Sequence, residues 1–386
     1  MYLKNLRPTA ILKFLFFFLV FQQLHFSGAA QMRKMFHDPA EPENEIYKIS
    51  FYSPSAGYVA FRDFVGFTLD SGRTFTKKYI AISNVDFNGN TVNLTFGFGI
   101  NGVKAFDQNT ILVYGDYGLV PAILRSTNGG NNFKLVYHSQ YDPLQLRNGI
   151  TDMVFPENGN IGFAVDADRI LKTANQGVTW NPVRNDPGSY FDHLESTDNN
   201  TIFAISKGWD KNKLLRSSNG NSFQPVTLPA GQSINSLSFL TPTTGWINTR
   251  DKDNIGSTYY TTNGGINWIL KNDPYVTSFN TSKMKFVNDS TGYALSGLFG
   301  VYKTTDAGKI WERLSRDNSI SYLGYSHNDL HVANVNKLWA GGGYGLLELS
   351  TNGGGEPIPA SHFRIDTTGF LQTGVVKLVN YSKHRF

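Results

Sequence analysis

A short motif recurs along this chain of 386 residues, at intervals of roughly 45 residues. It reads Ser/Thr-x-Asp/Asn-x-Gly-x-x-Phe/Trp, and its good copies start at Thr68, Ser126, Thr173, Thr261 and Thr304. A degraded copy covers 216–223, with Ser218 where Asp or Asn is expected, and a last copy keeps only its first half at 350–354. Self-similarity at this period predicts a series of similar supersecondary units packed side by side.

Each unit contains four short apolar segments in the same order. Two precede the motif, as in "INSLSFLTPTTGWINT" at 234–249, while a third leads into it and a fourth leaves it. The composition, with 38 Gly, 14% aromatic and 17% charged residues, also favours an all-β chain with many turns. Four strands per unit of this length are typical of a propeller blade. We therefore predict an all-β, seven-bladed β-propeller of four-stranded blades at 46–77, 92–137, 150–183, 191–226, 234–271, 279–314 and 323–370.

The motif falls between the third and fourth strands, where each residue type has a local structural task. Glycine at the fifth position permits the positive φ of a tight hairpin. The Asp or Asn side chain accepts hydrogen bonds from backbone N–H groups of the turn, and the Ser or Thr hydroxyl forms a hydrogen bond across the loop. The final aromatic ring packs between blades. We predict such structural roles for Asp70, Gly72, Asn128, Gly130, Asn175, Gly177, Asn263, Gly265, Asp306, Gly308, Asn352 and Gly354.

These turns resemble Asp-boxes, also called BNR repeats. Asp-boxes occur in sialidases, in sortilin-type receptors, in some xyloglucan-cleaving glycosidases and in the photosystem II stability and assembly factor family. The resemblance covers about 46–355. It implies that the turns lie at the blade periphery, away from the active or binding face. A ligand site is then expected on the opposite face, where the loops after strands two and four meet around a central funnel.

The first thirty residues differ from the rest of the chain. Basic residues precede an apolar run at 14–21, and small residues follow it at 27–30. This order predicts a secretory signal peptide over 1–30, because the run is too short for a stable membrane anchor; an uncleaved anchor is the alternative. We expect a secreted, periplasmic or cell-surface protein that has no membrane span after cleavage.

The end of the repeat region raises the question of how the ring closes. The last copy breaks at 355–359, so the outer strand of the last blade comes either from 361–370 or from the segment before Ile46. We favour the first source. The predicted order of segments is a signal peptide at 1–30, a lead segment at 31–45, the propeller at 46–370 and a C-terminal tail at 371–386.

Charge and composition argue against several classes of function. Three of the 35 basic residues lie in the predicted signal peptide, which leaves 32 basic against 30 acidic residues. A nearly neutral chain is a poor ligand for nucleic acid. The chain has no cysteine, and Asp251-Lys-Asp253 has only the opening spacing of a calcium loop. We expect no cofactor, no metal ion and a monomer.

Candidate binding residues lie near the predicted funnel. Asp152, Asp192 and Asn235 recur near the start of successive innermost strands, with His193 adjacent. They predict either a ring of polar binding groups at the funnel mouth or a solvent-lined channel without a ligand. The loops of the same face add aromatic and charged residues that could hold a partner: Trp209, Asp210, Arg250, Asp251 and Tyr325. The leading interpretation is a non-catalytic propeller that binds a protein or a glycan through this face.

A glycoside hydrolase is the alternative interpretation. Glycoside hydrolysis generally needs two placed carboxyl groups, for which Asp152 and Asp192 are the candidates. A sialidase would also need clustered arginines for the sialic acid carboxylate. The only string related to a sialidase Arg-Ile-Pro motif is at 363–366, near the C-terminus and with Asp in place of Pro. The carboxylate pair therefore remains the one catalytic possibility.

Overall fold

The computed structural model describes residues 32–37, 43–90, 97–118, 120–139, 149–156, 159–207, 212–272, 280–296, 300–314 and 326–354, with the strands at 363–366 and 377–380. The predicted signal peptide lies outside these residues. In the part that is described, regular structure is β-strand except for two single-turn 3-10 helices at Ile82–Asn84 and Gly343–Gly345. No helix in that part is long and apolar enough to cross a membrane.

The strands form seven sheets and one separate hairpin. Strand β1 (Arg33–Phe36) belongs to the last sheet. The first sheet contains β2 (Ile46–Phe51), β3 (Gly57–Phe61), β4 (Val65–Thr68) and β5 (Thr76–Lys78). The second contains β6 (Val85–Asp86), β7 (Phe98–Ala105), β8 (Ile111–Tyr117), β9 (Val120–Ser126) and β10 (Phe133–His138). The third contains β11 (Ile150–Val154), β12 (Gly162–Asp166), β13 (Arg169–Thr173) and β14 (Asn181–Asn185).

The remaining sheets follow in the same way. The fourth contains β15 (Tyr190–Ser196), β16 (Ile202–Lys207), β17 (Lys213–Ser217) and β18 (Phe223–Val226). The fifth contains β19 (Ser233–Phe239), β20 (Gly245–Arg250), β21 (Gly256–Thr261) and β22 (Ile269–Leu270). The sixth contains β23 (Lys283–Phe286), β24 (Gly292–Leu295), β25 (Val301–Thr304) and β26 (Glu312–Arg313), and the seventh contains β27 (His327–Asn334), β28 (Lys337–Gly342) and β29 (Leu347–Ser350) beside β1. The hairpin is β30 (Phe363–Asp366) with β31 (Lys377–Asn380).

The sheets are the seven blades of a propeller. Within each blade, strands that are consecutive in the chain pair antiparallel, and the second blade adds the short β6 as a parallel fifth strand. The innermost strands β2, β7, β11, β15, β19, β23 and β27 contact one another in that order, and β27 also contacts β2. This closed ring confirms the predicted all-β, seven-bladed fold.

Aromatic stacking between neighbouring blades recurs around the ring. An aromatic residue on the second strand of one blade stacks on the aromatic residue at the end of the next blade's innermost strand, and the junction between the seventh and first blades follows the same pattern. Ring centroids lie 3.7 Å apart for Phe203 and Phe239, 3.8 Å for Trp246 and Phe286, and 4.0 Å for Phe51 and Trp339. Such pairs contribute about 0.5–1.5 kcal/mol each beyond the apolar area they bury.

The motif turns join the third and fourth strands through a repeated set of hydrogen bonds. In the first turn, the Thr68 hydroxyl donates to Asp70 Oδ1 at 2.8 Å and accepts the Gly72 N–H at 2.9 Å. Asp70 Oδ1 also accepts the N–H groups of Arg73 and Thr74, both at 3.0 Å. Gly72 has φ +91°, and its N–H is buried. Equivalent hydroxyl bonds occur at Ser126, Thr173, Thr261, Thr304 and Ser350.

The fourth turn has one residue fewer than the others. Here the Ser217 hydroxyl donates to Asn219 Oδ1 at 3.2 Å, and Asn219 Oδ1 accepts the N–H groups of Asn221 and Ser222, both at 2.9 Å. Asn219 therefore has the role that Asp70 has in the first turn. The sequence alignment that put Ser218 at this position was wrong, because it did not allow for a deletion inside the motif.

Ring closure also differs from the expectation. The outer strand of the seventh blade is β1, which pairs antiparallel with β29 in the register Arg33 to Leu349. The favoured source, 361–370, was wrong: its strand β30 pairs instead with β31. Apolar packing accounts for the choice, since Met32 is fully buried and Phe36 lies edge-on to Phe75 with centroids 5.1 Å apart. The segment predicted as a lead at 31–45 thus contributes a strand to the propeller.

Candidate functional site

The innermost strands share an irregularity near their beginning. In six of the seven described innermost strands, the pairing with the second strand shifts by one residue, which is the register of a β-bulge. The residues at the shift are Tyr47, Asn101, Thr151, Asp192, Asn235 and Asn328. All six line a central cavity. Because bulges redirect side chains, they place this ring of mostly polar groups at the funnel mouth.

The cavity is the mouth of the funnel and receives side chains from every blade. Its volume is about 780 Å³. The described residues that line it are Tyr47, Lys48, Asn101, Thr151, Asp152, Asp192, His193, Lys207, Asn235, Arg250, Asn254, Asn280, Thr281, Ser282, Lys283, Asn328 and Asp329. The cavity therefore lies where the loops of one face converge on the axis of the ring.

Several polar groups of the mouth connect one blade to the next. Asn328 Nδ2 donates to the carbonyl oxygen of Ile46 at 3.0 Å, and this carbonyl immediately precedes the bulge of the following blade. The same kind of bond is made by Asn101 to Ile150, Thr151 to Phe191 and Asn212 to Ile234. These bonds satisfy buried backbone acceptors. Part of the polar ring is therefore structural, while its remaining amide atoms face the cavity.

The floor of the cavity is formed by Lys48, Asp152, His193, Lys283 and Asp329. Four of them lie one residue beyond a bulge position, whereas Lys283 lies on β23, whose pairing with β24 is regular. Lys48 Nζ bonds to Asp152 Oδ1 at 2.6 Å, and this pair joins the first and third blades. His193 Nδ1 lies 3.2 Å from Asp152 Oδ2, and Lys283 pairs with Asp329. The floor is thus a network of opposite charges that crosses the funnel axis.

The second blade contributes no charge to the floor. Gly102 occupies the corresponding position, and a Cβ atom there would lie 2.3 Å from the Tyr114 hydroxyl. The fully buried Tyr114 side chain from β8 fills this space beside Lys48. A glycine at this point therefore makes room for the Tyr114 hydroxyl beside Lys48.

Asp152 and Asp329 are held in the ionised form. Burial alone would raise the pKa of Asp152, but the Lys48 ammonium group and the hydrogen bond from His193 outweigh it and hold that pKa far below its usual range. Asp152 Oδ2 also accepts the Leu194 N–H at 3.0 Å. Burial likewise opposes the ionisation of Asp329, and the Lys283 and Lys48 ammonium groups lower its pKa.

A second tier of charged residues lies two positions further along the innermost strands, below the floor. Lys285 Nζ bonds to Glu195 Oε1 at 2.5 Å and joins the sixth and fourth blades. Burial lowers the pKa of His331 to about 4, and the Lys104 ammonium group adds to this effect. Burial and the charge of Lys48 in turn lower the pKa of Lys104. This tier adds one further ion pair beneath the cavity.

Asp192 lies at the mouth of the cavity, directly before the floor residue His193 in the chain. Its environment differs from that of Asp152. Burial raises the pKa of Asp192, although the Lys207 ammonium group opposes this. Lys207 Nζ lies 3.1 Å from Asp192 Oδ2. The other oxygen, Oδ1, is buried and has no hydrogen-bond partner among the described residues.

The structure brings together four of the predicted site residues: Asp152, Asp192, His193 and Arg250 all line the cavity. Asp251 does not line it. Its Oδ1 accepts the N–H groups of Asp253 at 2.8 Å and Ile255 at 2.9 Å, so it organises its own loop. Trp209, Asp210 and Tyr325 lie outside the described residues.

Sequence reasoning missed three residues of the floor, namely Lys48, Lys283 and Asp329. Each directly precedes a buried apolar residue of an innermost strand, as Asp152 precedes Met153. Alignment of the repeats at that apolar position would have placed all of these charges in one ring. Within the described part of the chain, no group of three His, Cys, Asp or Glu residues suits a metal ion.

These features define the class of protein: a seven-bladed β-propeller around a polar funnel whose floor is a network of ion pairs. No model of a protein family matches the chain, and no curated protein matches it either. Among solved structures it is similar to YCF48 from Cyanidioschyzon merolae, at 18% identity over 83% of this chain and 98% of that chain, with a TM-score of 0.59.

Two further structures extend this comparison. The chain is similar to YCF48 bound to D1 peptide, at 14% identity over 84% of this chain and 98% of that chain, with a TM-score of 0.61. It is also similar to the GH74 xyloglucanase from Xanthomonas campestris, at 15% identity over 84% of this chain, with a TM-score of 0.59. It spans only 54% of that enzyme. At these identities the likeness establishes the fold.

Proposed function

We propose that this protein is a non-catalytic propeller that binds an extended segment of a partner protein at the mouth of its funnel. One observation carries the proposal: each carboxylate on the described funnel wall is paired with a lysine. The pairs are Asp152 with Lys48, Asp192 with Lys207, Asp329 with Lys283, and Glu195 with Lys285. The same observation argues against hydrolysis.

A glycosidase needs a carboxylic acid that can protonate the leaving group and a second carboxylate that is open to substrate or water. A neighbouring ammonium group favours the ionised carboxylate and weakens it as a proton donor. Asp152 has only 5% of its side chain exposed and already engages Lys48, His193 and the Leu194 N–H. Such a residue stabilises the funnel but has little access to a substrate.

The chemistry of the mouth favours a polypeptide over a sugar. Amide groups, which both donate and accept hydrogen bonds, match those of a peptide backbone. They come from Asn101, Asn235, Asn254, Asn280 and Asn328. Tyr47 is the one aromatic residue among the described lining, whereas sugar sites commonly use several aromatic faces. A propeller of similar length, YCF48, has been solved with a D1 peptide bound.

The cellular setting is part of the same proposal. Residues 1–30 are removed as a signal peptide, and the monomeric propeller acts as a secreted, periplasmic or cell-surface protein. Its mouth then faces partners outside the cytoplasm. The predicted order of segments is kept, with β1 added to the propeller.

A peptide-display selection tests the proposal. Random 12-residue peptides are selected on the purified protein, and their affinities are measured for two variants that each add one indole ring. Asn235→Trp fills the mouth, and Ile266→Trp adds the ring on a motif turn at an exposed site. We expect selected peptides to bind Asn235→Trp at least tenfold more weakly and Ile266→Trp unchanged. Equal binding to both variants, or no selected peptide, would contradict the proposal.

A glycoside hydrolase is the second candidate, and one observation favours it. Asp152 and Asp192 line the same cavity, and their pKa values are shifted in opposite directions, as in an acid and base pair. The test is incubation with plant, bacterial and sialylated glycans, followed by mass spectrometry of released sugars. Release that is lost in Asp192→Asn and in Asp152→Asn would replace the binding proposal with an enzyme. Absence of release from a folded protein would favour the binder.

A further inference from the structure

One edge of the funnel mouth carries a cation that has no carboxylate partner among the described residues. Each lysine of the described lining is paired with an aspartate, and Arg250 is the remaining cation. Arg250 Nη1 donates to Asn254 Oδ1 at 3.5 Å, which is the limit of a hydrogen bond. The mouth therefore has an excess of one positive charge among the described residues.

Arg250 and Lys207 hold equivalent positions on adjacent blades. Lys207 ends β16 and pairs with Tyr190, while Arg250 ends β20 and pairs with Ser233. Tyr190 and Ser233 are each the first residue of an innermost strand, so the two cations stand at the same height on the fourth and fifth blades. Both line the cavity. Together they form a positive edge, which we call the Lys207–Arg250 edge.

An unused acceptor lies at the same edge. Asp192 Oδ2 is engaged by Lys207, but Oδ1 is buried and has no hydrogen-bond partner in the described part of the chain. A buried acceptor without a partner costs free energy, which a donor from a ligand would recover. The edge thus offers two cations for an anion and one acceptor for an N–H group nearby.

Among peptide groups, a carboxylate close to a backbone N–H satisfies both requirements. The last residue of a peptide carries them within the same residue, and an Asp or Glu side chain carries a carboxylate near its own N–H. Arginine binds carboxylates in a planar, bidentate geometry, which makes Arg250 the stronger of the two cations for this purpose. Inorganic phosphate lacks the adjacent N–H donor.

We infer that the segment bound at the funnel mouth places a carboxylate on the Lys207–Arg250 edge and donates an adjacent N–H to Asp192 Oδ1. This inference rests on the proposed function, because it specifies the ligand chemistry of the same mouth. Electrostatic attraction into a narrow, positively charged opening would also speed the encounter with acidic segments and make it depend on salt.

Three pools of fluorescent random hexapeptides test the inference by polarisation on the purified protein. The first has free C-terminal carboxylates and no Asp or Glu, the second is the same pool amidated, and the third is amidated with one Glu. We expect the first or third pool to bind about 10- to 100-fold more tightly than the second, the gain of one charged hydrogen-bonded contact. Preference for the first identifies a chain terminus, and preference for the third identifies an acidic side chain.

Two matched variants locate the contact. Arg250→Gln is expected to remove the preference for the carboxylate pools over the amidated neutral pool. Lys252→Gln removes the same charge from the same loop, but Lys252 has 86% of its side chain exposed and does not line the cavity, so the preference should persist. Thermal unfolding of both variants checks that the fold is kept.

The outcomes separate this inference from the proposed function. If the amidated neutral pool binds as tightly as the other two, the carboxylate site is overturned and peptide binding stands. If Arg250→Gln weakens all pools equally, Arg250 has a general structural role and the site is overturned. If none of the pools binds but the protein is folded, the proposed function fails together with the inference.

Discussion

The peripheral turns repeat the same hydrogen bonds in blade after blade, whereas the funnel wall presents a different side chain on each blade. In the turns, Thr68, Asp70 and Gly72 are bonded within four residues of one another. In the funnel, Lys48 pairs with Asp152 across 104 residues. Local bonds can be repeated at small cost, but a charge in the funnel needs a partner from another blade. The two regions should therefore respond to mutation in different ways.

The largest effect is expected at the floor. Asp152→Ala leaves the Lys48 ammonium group without its carboxylate inside the funnel, and the free energy of unfolding should fall by about 3–5 kcal/mol. Urea unfolding followed by tryptophan fluorescence measures this change. The matched control, Asp253→Ala, removes an exposed pair with Lys252 and should cost less than about 1 kcal/mol. If both variants lost a similar free energy of unfolding, ion pairs in the funnel would be no more important for stability than those on the surface.

A second effect of the funnel is on the pH dependence of stability. Burial lowers the pKa of His331 to about 4, while in the unfolded chain a histidine titrates near about 6.5. Between these values the unfolded chain binds a proton that the folded protein does not. Stability should therefore fall as pH drops from about 6.5 to about 4, by about 3 kcal/mol in total. His331→Phe should flatten this part of a curve of unfolding free energy against pH, and an unchanged slope would refute the assignment.

The peripheral turns should give smaller, similar and additive effects. Asp70→Ala removes the acceptor of the Arg73 and Thr74 N–H groups, and Asn175→Ala removes that of Thr179. Each should lower the free energy of unfolding by about 1 kcal/mol. The double variant should show the sum to within about 0.5 kcal/mol, because the turns share no contacts. Strong coupling in the double variant would show that the turns are not independent units.

The smallest effect is expected at the shortened fourth turn. Inserting one residue between Asn219 and Gly220 restores the spacing of the other turns and allows the glycine N–H to reach the Ser217 hydroxyl. One added hydrogen bond should raise the free energy of unfolding by about 0.5 kcal/mol. Chemical denaturation of the insertion variant is the measurement. A lower stability would show that the shorter turn is already the better fit between its neighbours.

The contrast between the repeated turns and the varied funnel wall also explains which features could be predicted from the sequence. The turn motif is local, so its period was enough to give the number of blades and most of their bounds. The shortened turn at Ser217 was misaligned because a deletion is invisible to a fixed spacing. Closure by β1 was missed because the choice depends on packing of Met32 against the sixth and seventh blades, which are distant in sequence.

The funnel was only partly predictable for a related reason. Asp152 and Asp192 were recognised because carboxylates near the start of an innermost strand are conspicuous. Lys48 and Lys283 were not, because a lysine in a strand usually reaches solvent. The role of Lys48 follows from a bulge that sets its register, and both lysines depend on partners from other blades. Neither the register of the strand nor the partner on another blade can be deduced from the sequence of a single repeat.

The pairing of Arg33 with Leu349 gives the ring an unusual order of assembly. The strand that is synthesised first is the last to find its partner, since roughly 300 residues must leave the ribosome in between. At about 5–20 residues per second this delay is roughly 15–60 s. During that interval β1 has no partner, and an unpaired strand invites contacts with other chains. The completed propeller thus depends on β1 staying unengaged until β29 has been made.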